Sequence, residues 1–134
     1  MNMRFCVAVA LLLLPCAPGA FSQKKPAAVS FQKEIAPLIR SRCLPCHAED
    51  NFNPSELSLD TYEMLMGGGK NGAAVIPGKS EESILVKKLR EVPPFGERMP
   101  LNSKRDKDAG RARWLTDEEI SLIAAWVDQG AKRN

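Results

Sequence analysis

Cys43-Leu44-Pro45-Cys46-His47 is the stretch on which the reading of this chain turns. Two thiols separated by two residues, with an imidazole directly after the second, is the spacing of c-type haem attachment. The chemistry requires that spacing. Two thiols must reach the two vinyl groups on one edge of a single porphyrin, and the adjoining imidazole then binds the iron beneath the ring. Three other readings compete. A structural zinc site wants four ligands, and His47 is the sole histidine of the chain. A thioredoxin-like redox pair needs a strand before the motif, whereas a helical pattern precedes this one. A plain local disulfide remains open on spacing alone.

Outward toward the N-terminus, the chain begins with a segment set apart from the fold. Arg4 supplies a positive start, and Cys6 to Leu14 is an unbroken apolar run followed by Pro15 and small residues. Ala20-Phe21-Ser22 offers a cleavage site before Gln23, so residues 1–22 read as a signal peptide. The apolar run is too short for a membrane span, which needs about 20 residues. Pro15 stands where a lipoprotein signal needs a small residue before Cys16. Cleavage removes Cys6 and Cys16 and leaves Cys43 and Cys46 as the remaining cysteines of an exported chain. The expected organisation is a signal peptide over 1–22, a flexible lead-in over 23–30 and one domain over 31–134. The expected location is periplasmic or secreted.

A formal charge of +3 over 134 residues is too small a bias to suggest nucleic acid. The basic residues are unevenly spread: Arg98, Lys104, Arg105, Lys107, Arg111 and Arg113 face only Asp106 and Asp108 within the same stretch. Aromatic residues are 6% of the chain, so few large rings are at hand to fill a core.

Phe31, Ile35, Leu38 and Ile39 recur at helical spacing, with Ser30 as N-cap and Pro37 marking a kink or a start. This helix leads into Cys43. Residues 48–56 form a polar loop, and Leu57-Ser58-Leu59 is a short extended piece. Asp60 is the expected cap of a helix running through Leu65, which Gly67-Gly68-Gly69 ends. A phosphate loop would need Gly-Lys-Ser/Thr at a spacing that is absent. Ser80 is the expected cap of a helix carrying Ile84, Leu85 and Leu89, with Glu81 and Glu82 in its first turn and Pro93-Pro94 beyond its end. Thr116 and Glu119 make a capping box for a last helix, with Leu115 stapled to Ile120 and Gly130 as its stop. The apolar face of that helix is Ile120, Ile123, Ala124 and Val127, with Trp126 beside it. No strand alternation or repeat stands out, so the fold class is all-α with long loops.

The iron of such a site needs a ligand opposite His47. Met1 and Met3 leave with the signal, so the sulfur candidates are Met64, Met66 and Met99. Core packing accounts for Met64 and Met66. Met99 lies in Glu97-Arg98-Met99-Pro100, a charged loop with no helical apolar face to serve, and is the candidate distal ligand. Expected pocket walls are Phe31, Ile35, Leu89, Ile123 and Trp126.

The pieces together resemble class I cytochrome c and, more closely, the planctomycete-type cytochrome c domain. The resemblance rests on Ile35-Ala36-Pro37-Leu38-Ile39, the haem motif, Leu57-Ser58-Leu59-Asp60, Val75-Ile76-Pro77-Gly78-Lys79-Ser80, Met99-Pro100, Leu115 to Ile120, and Trp126 to Ala131. It implies a cytochrome c-like helical fold around one covalent haem c, held by Cys43 and Cys46 with iron bound by His47 and Met99. It implies an electron carrier rather than an enzyme, exchanging electrons with a redox donor and acceptor. An acidic partner would suit the basic stretch, and the mature chain is expected to make no stable membrane insertion. The charged link from Asn102 to Arg113 departs from the family pattern. Two alternatives stay open: a haem-based ligand sensor, which needs a vacant iron position, and a haem subunit of a larger oxidoreductase complex.

Overall fold

The computed structural model describes residues 27–134. The signal segment and the first part of the lead-in lie outside the described residues. A π-helical turn, Phe31–Ile35, runs straight into α1, Ala36–Arg42. Ser30 caps the turn by accepting the Lys33 N–H, and Pro37, which has no N–H to donate, sits at the junction where the π-helical bonding gives way to α1. Then follow α2, Tyr62–Gly67; α3, Ile84–Leu89; α4, Lys104–Asp108; and α5, Asp117–Asp128. Among the described residues there is no sheet, only an isolated bridge between Gly69 and Gly72.

α5 is the longest helix, and its ends follow from local chemistry. Thr116 accepts the Glu119 N–H while Glu119 accepts the Thr116 N–H, the expected reciprocal box. At the other end the Gly130 N–H bonds to Val127 O and the Ala131 N–H to Trp126 O, a pairing that needs Gly130 at positive φ (99°). The helix buries Ile120, Ile123, Trp126 and Val127 against the π turn and α3. Ala124 is only half-buried, so the buried stripe is centred nearer Trp126 than the sequence pattern indicates. The Trp126 ring lies 5.4 Å from that of Phe31, which makes an edge contact with Tyr62 at 5.1 Å. The expected pocket walls Phe31, Ile35, Leu89, Ile123 and Trp126 all belong to this core.

Residues 27–32 meet the last residues of the chain. Gln129 accepts the Val29 N–H and donates to Ala27 O, and the Asn134 carbonyl accepts from Ser30 Oγ and the Gln32 N–H. These bonds tie residues 27–30 to the C-terminal end of α5.

Two caps differ from the sequence reading. α2 is capped by Thr61, whose hydroxyl accepts the Met64 N–H; Asp60 instead accepts from the Glu49 N–H and Ser58 Oγ. α3 starts at Ile84, so Glu81 and Glu82 precede it and Ser80 does not cap it. Both donors of Ser80 go to the Asp128 carboxylate, at 2.8 and 2.9 Å. A carboxylate offers charge-assisted bonds that a remote helix end cannot match. α4 is a further departure: Ser103 caps a helical turn inside the charged link, where the sequence reading places no helix.

Ser83 is fully buried in this region. Its hydroxyl accepts the Ile76 N–H at 2.8 Å and donates to Lys79 O at 2.8 Å. Ser83→Ala strands the Ile76 N–H away from water, and the expected loss of stability is about 1–3 kcal/mol. A urea midpoint equal to that of the parent protein would contradict this.

Candidate cofactor site

The motif grows out of the end of α1. The Cys43 N–H bonds to Ile39 O at 2.8 Å, and the chain then turns, with His47 N–H on Cys43 O and Ala48 N–H on Pro45 O. Cys43 is half-buried and Cys46 exposed, and both are free thiols, so no local disulfide joins them. Burial, and secondarily the neighbouring Cys46, pushes the Cys43 thiol up to about 11, which keeps it protonated at neutral pH.

His47 is held at two points. Its carbonyl accepts the Leu59 N–H at 2.8 Å, and its ring Nδ1 lies 2.9 Å from Leu57 O. A carbonyl can only accept, so Nδ1 carries the proton and the Nε2 lone pair is left for a metal. Asn53 Nδ2 donates to the same Leu57 oxygen at 2.6 Å. Its 3.3 Å approach to His47 Nδ1 brings two donors side by side, a contact rather than a bond. Gly69 allows this loop to lie where it does: a Cβ there would stand 2.5 Å from Ser55 O and 2.8 Å from Leu57 N.

Cys43, Leu44 and Met99 pack against the apolar core. The Met99 N–H bonds to Lys88 O at 2.8 Å, which places its loop along α3. Met66 packs on the same core, as the sequence suggests. Met64 does not serve the core in that way; its sulfur accepts the Ser58 hydroxyl at 3.2 Å.

Two features of the site were not singled out from the sequence. One is the Asn53–Leu57 pairing. The other is Trp114, whose indole N–H is buried and without a partner. The Arg98 guanidinium lies 4.9 Å from the Trp114 ring and spends its Nε on Leu89 O. Among the described residues, no carboxylate pairs with Arg98. A buried orphan donor beside a half-buried cation is costly unless an anionic group meets it. A tryptophan directly after the charged link was the available signal.

The donor set therefore fits a porphyrin iron: two free thiols, an imidazole of assigned tautomer, a thioether, and donors suited to a carboxylate of the macrocycle. Among the described residues no three His, Cys, Asp or Glu side chains converge as a metal site. Two surface concavities, of about 420 and 480 Å³, border other residues, the second lying against the Ala48–Ser58 loop. The candidate site is drawn from these donors and not from either concavity. Phe52, Val92 and Leu101 stand exposed on the loops after the motif and on either side of Met99.

A helical architecture without a sheet, carrying this motif, is consistent with the cytochrome c class. The family model described as Planctomycete cytochrome C matches residues 43–100, a span that opens at Cys43 and includes Cys46, His47 and Met99. Among solved structures, a chain described as Kuenenia stuttgartiensis hydrazine synthase is similar at 25% identity and a TM-score of 0.47; the match covers 77% of this chain and 16% of that one. No curated protein matches. Among the described residues, no helix is long and apolar enough to cross a membrane.

Proposed function

We propose that this chain is a monohaem c-type cytochrome that carries single electrons between redox proteins outside the cytoplasm. Cys43 and Cys46 would hold the macrocycle through thioethers, with His47 Nε2 and Met99 sulfur as the iron ligands. Bound there, the haem supplies a one-electron couple between ferric and ferrous iron. The observation that carries the reading is the hydrogen bond from His47 Nδ1 to Leu57 O, which turns Nε2 away from that carbonyl as the nitrogen for a metal within a Cys-x-x-Cys-His turn. The family match over the same residues supports it.

The chain's own groups have distinct tasks. Leu57 O orients the imidazole, the core under Cys43 and Met99 excludes water, and Arg98 with Trp114 would meet a carboxylate. A thioether ligand and an apolar surround both favour the less charged ferrous state. The reading is a carrier and not an enzyme: one electron would pass, with no substrate bond made or broken. The export location rests on residues 1–22, outside the described part. The expected measurement is a reduced-minus-oxidised spectrum with a pyridine haemochrome assay on protein matured by an export-side haem machinery. It should show one haem with two thioether links that stays with the protein in acidified acetone. Colourless protein, or pigment lost to the solvent, sinks the reading.

The basic stretch would steer an acidic partner. Lys104 pairs with Asp108 at 2.6 Å, Lys107 with Glu97 and Arg111 with Asp106, so part of its charge is neutralised locally. Arg105 and Arg113 make no ion pair among the described residues. Reversing Lys104 and Arg105 to glutamate should slow the reaction with an acidic redox partner a few-fold at low salt, with the difference vanishing at high salt. Equal rates at low salt would end the idea.

A further inference from the structure

We infer that Asn53 is a positioning residue that tunes the reduction potential of this centre by sharing the Leu57 carbonyl with His47. The inference rests on the proposed haem ligation. Leu57 O accepts from His47 Nδ1 at 2.9 Å and from Asn53 Nδ2 at 2.6 Å. The amide cannot be turned the other way. Its Oδ1 accepts both the Ser55 N–H at 3.1 Å and the Ser55 hydroxyl at 2.6 Å, so Nδ2 must face Leu57.

The carbonyl is held in place without Asn53's amide. The Leu59 N–H bonds to His47 O at 2.8 Å, the Glu56 N–H to Asn53 O at 2.9 Å, and the Lys70 N–H to Ser55 O at 2.8 Å. Gly69 lies against the same backbone. Loss of the side-chain donor therefore leaves Leu57 O near His47 but with one fewer claim on its lone pairs. The oxygen then accepts more strongly from Nδ1–H, and the imidazole becomes a more basic ligand. A more basic ligand favours ferric iron, so the potential falls. One electron is exchanged with the redox partner in the couple, and no atom is transferred.

The test uses the haem-loaded protein. Asn53→Leu removes the donor without adding charge. At the parent's midpoint poise, the ferric-to-ferrous ratio is expected to rise about threefold, a fall of about 30 mV at 59 mV per tenfold for one electron. In the ferrous protein, the His47 Nδ1 proton should move downfield in the NMR spectrum. Asn53→Asp keeps the acceptor for Ser55, again removes the donor and sets a part-buried carboxylate beside Nδ1, so its fall should exceed that of Asn53→Leu at low and high salt alike. A loaded variant with an unchanged or raised potential overturns the inference, as does failure of both variants to load haem. Parent protein that takes up no covalent haem instead overturns the proposed function.

Discussion

Met99→Ala should turn a reduced protein that ignores carbon monoxide into one that binds it. The argument starts from what the substitution leaves intact. The Met99 N–H is bonded to Lys88 O at 2.8 Å, and Arg98 beside it is anchored on Leu89 O and on the Trp114 ring. The loop keeps these bonds when only the thioether is removed. Under the proposed ligation this vacates the position that Met99 would hold on the iron, and carbon monoxide, which seeks a vacant ferrous site, should bind. The potential should fall as well, because the sulfur that favours the ferrous state is gone. Met64→Ala and Met66→Ala are the controls, since one sulfur is engaged by Ser58 and the other packs in the core. A parent protein that itself binds carbon monoxide would favour the ligand-sensor alternative, and an unresponsive Met99→Ala protein would remove Met99 from the ligand set.

The largest expected loss of stability comes from Trp126→Ala. The side chain is 1% exposed, stacks at a tilt on Phe31, and donates its indole N–H to Lys132 O at 2.9 Å. Removing it opens a cavity where α5 meets the π turn, at a cost of about 3–5 kcal/mol. Typical domains have only about 5–15 kcal/mol in total, so much of the protein's stability is at stake. Trp126→Phe keeps most of the volume and loses the hydrogen bond, so its effect should be clearly smaller. Denaturant midpoints of the haem-loaded proteins read both. A Trp126→Ala midpoint close to the parent's would show that the core does not depend on this ring.

Local chemistry was legible from sequence wherever donor and acceptor sit within a turn of each other. Ser30 with Lys33, Thr116 with Glu119, and Gly130 after α5 are of this kind. The apolar spacing of Phe31, Ile35 and Ile39 was equally direct, because a buried helix face repeats on its own helix. Asp60 was misread by one position because Thr61, its neighbour, offers an equally good cap and Asp60 found other donors. Ser80 was misread for a different reason: its partner, Asp128, is 48 residues away.

The motif at residues 43–47 and the all-helical class were set by the order of residues alone, since attachment chemistry is a matter of neighbouring side chains. What only the folded chain decided is which nitrogen of His47 is free. That depends on Leu57 O, ten residues on, and on Asn53, whose amide faces it only because Ser55 turns it there. The buried indole of Trp114 under Arg98 is likewise a product of packing. A hydrogen bond between loops has no periodicity to betray it, because its partners are chosen by the path of the backbone and not by their spacing in the chain.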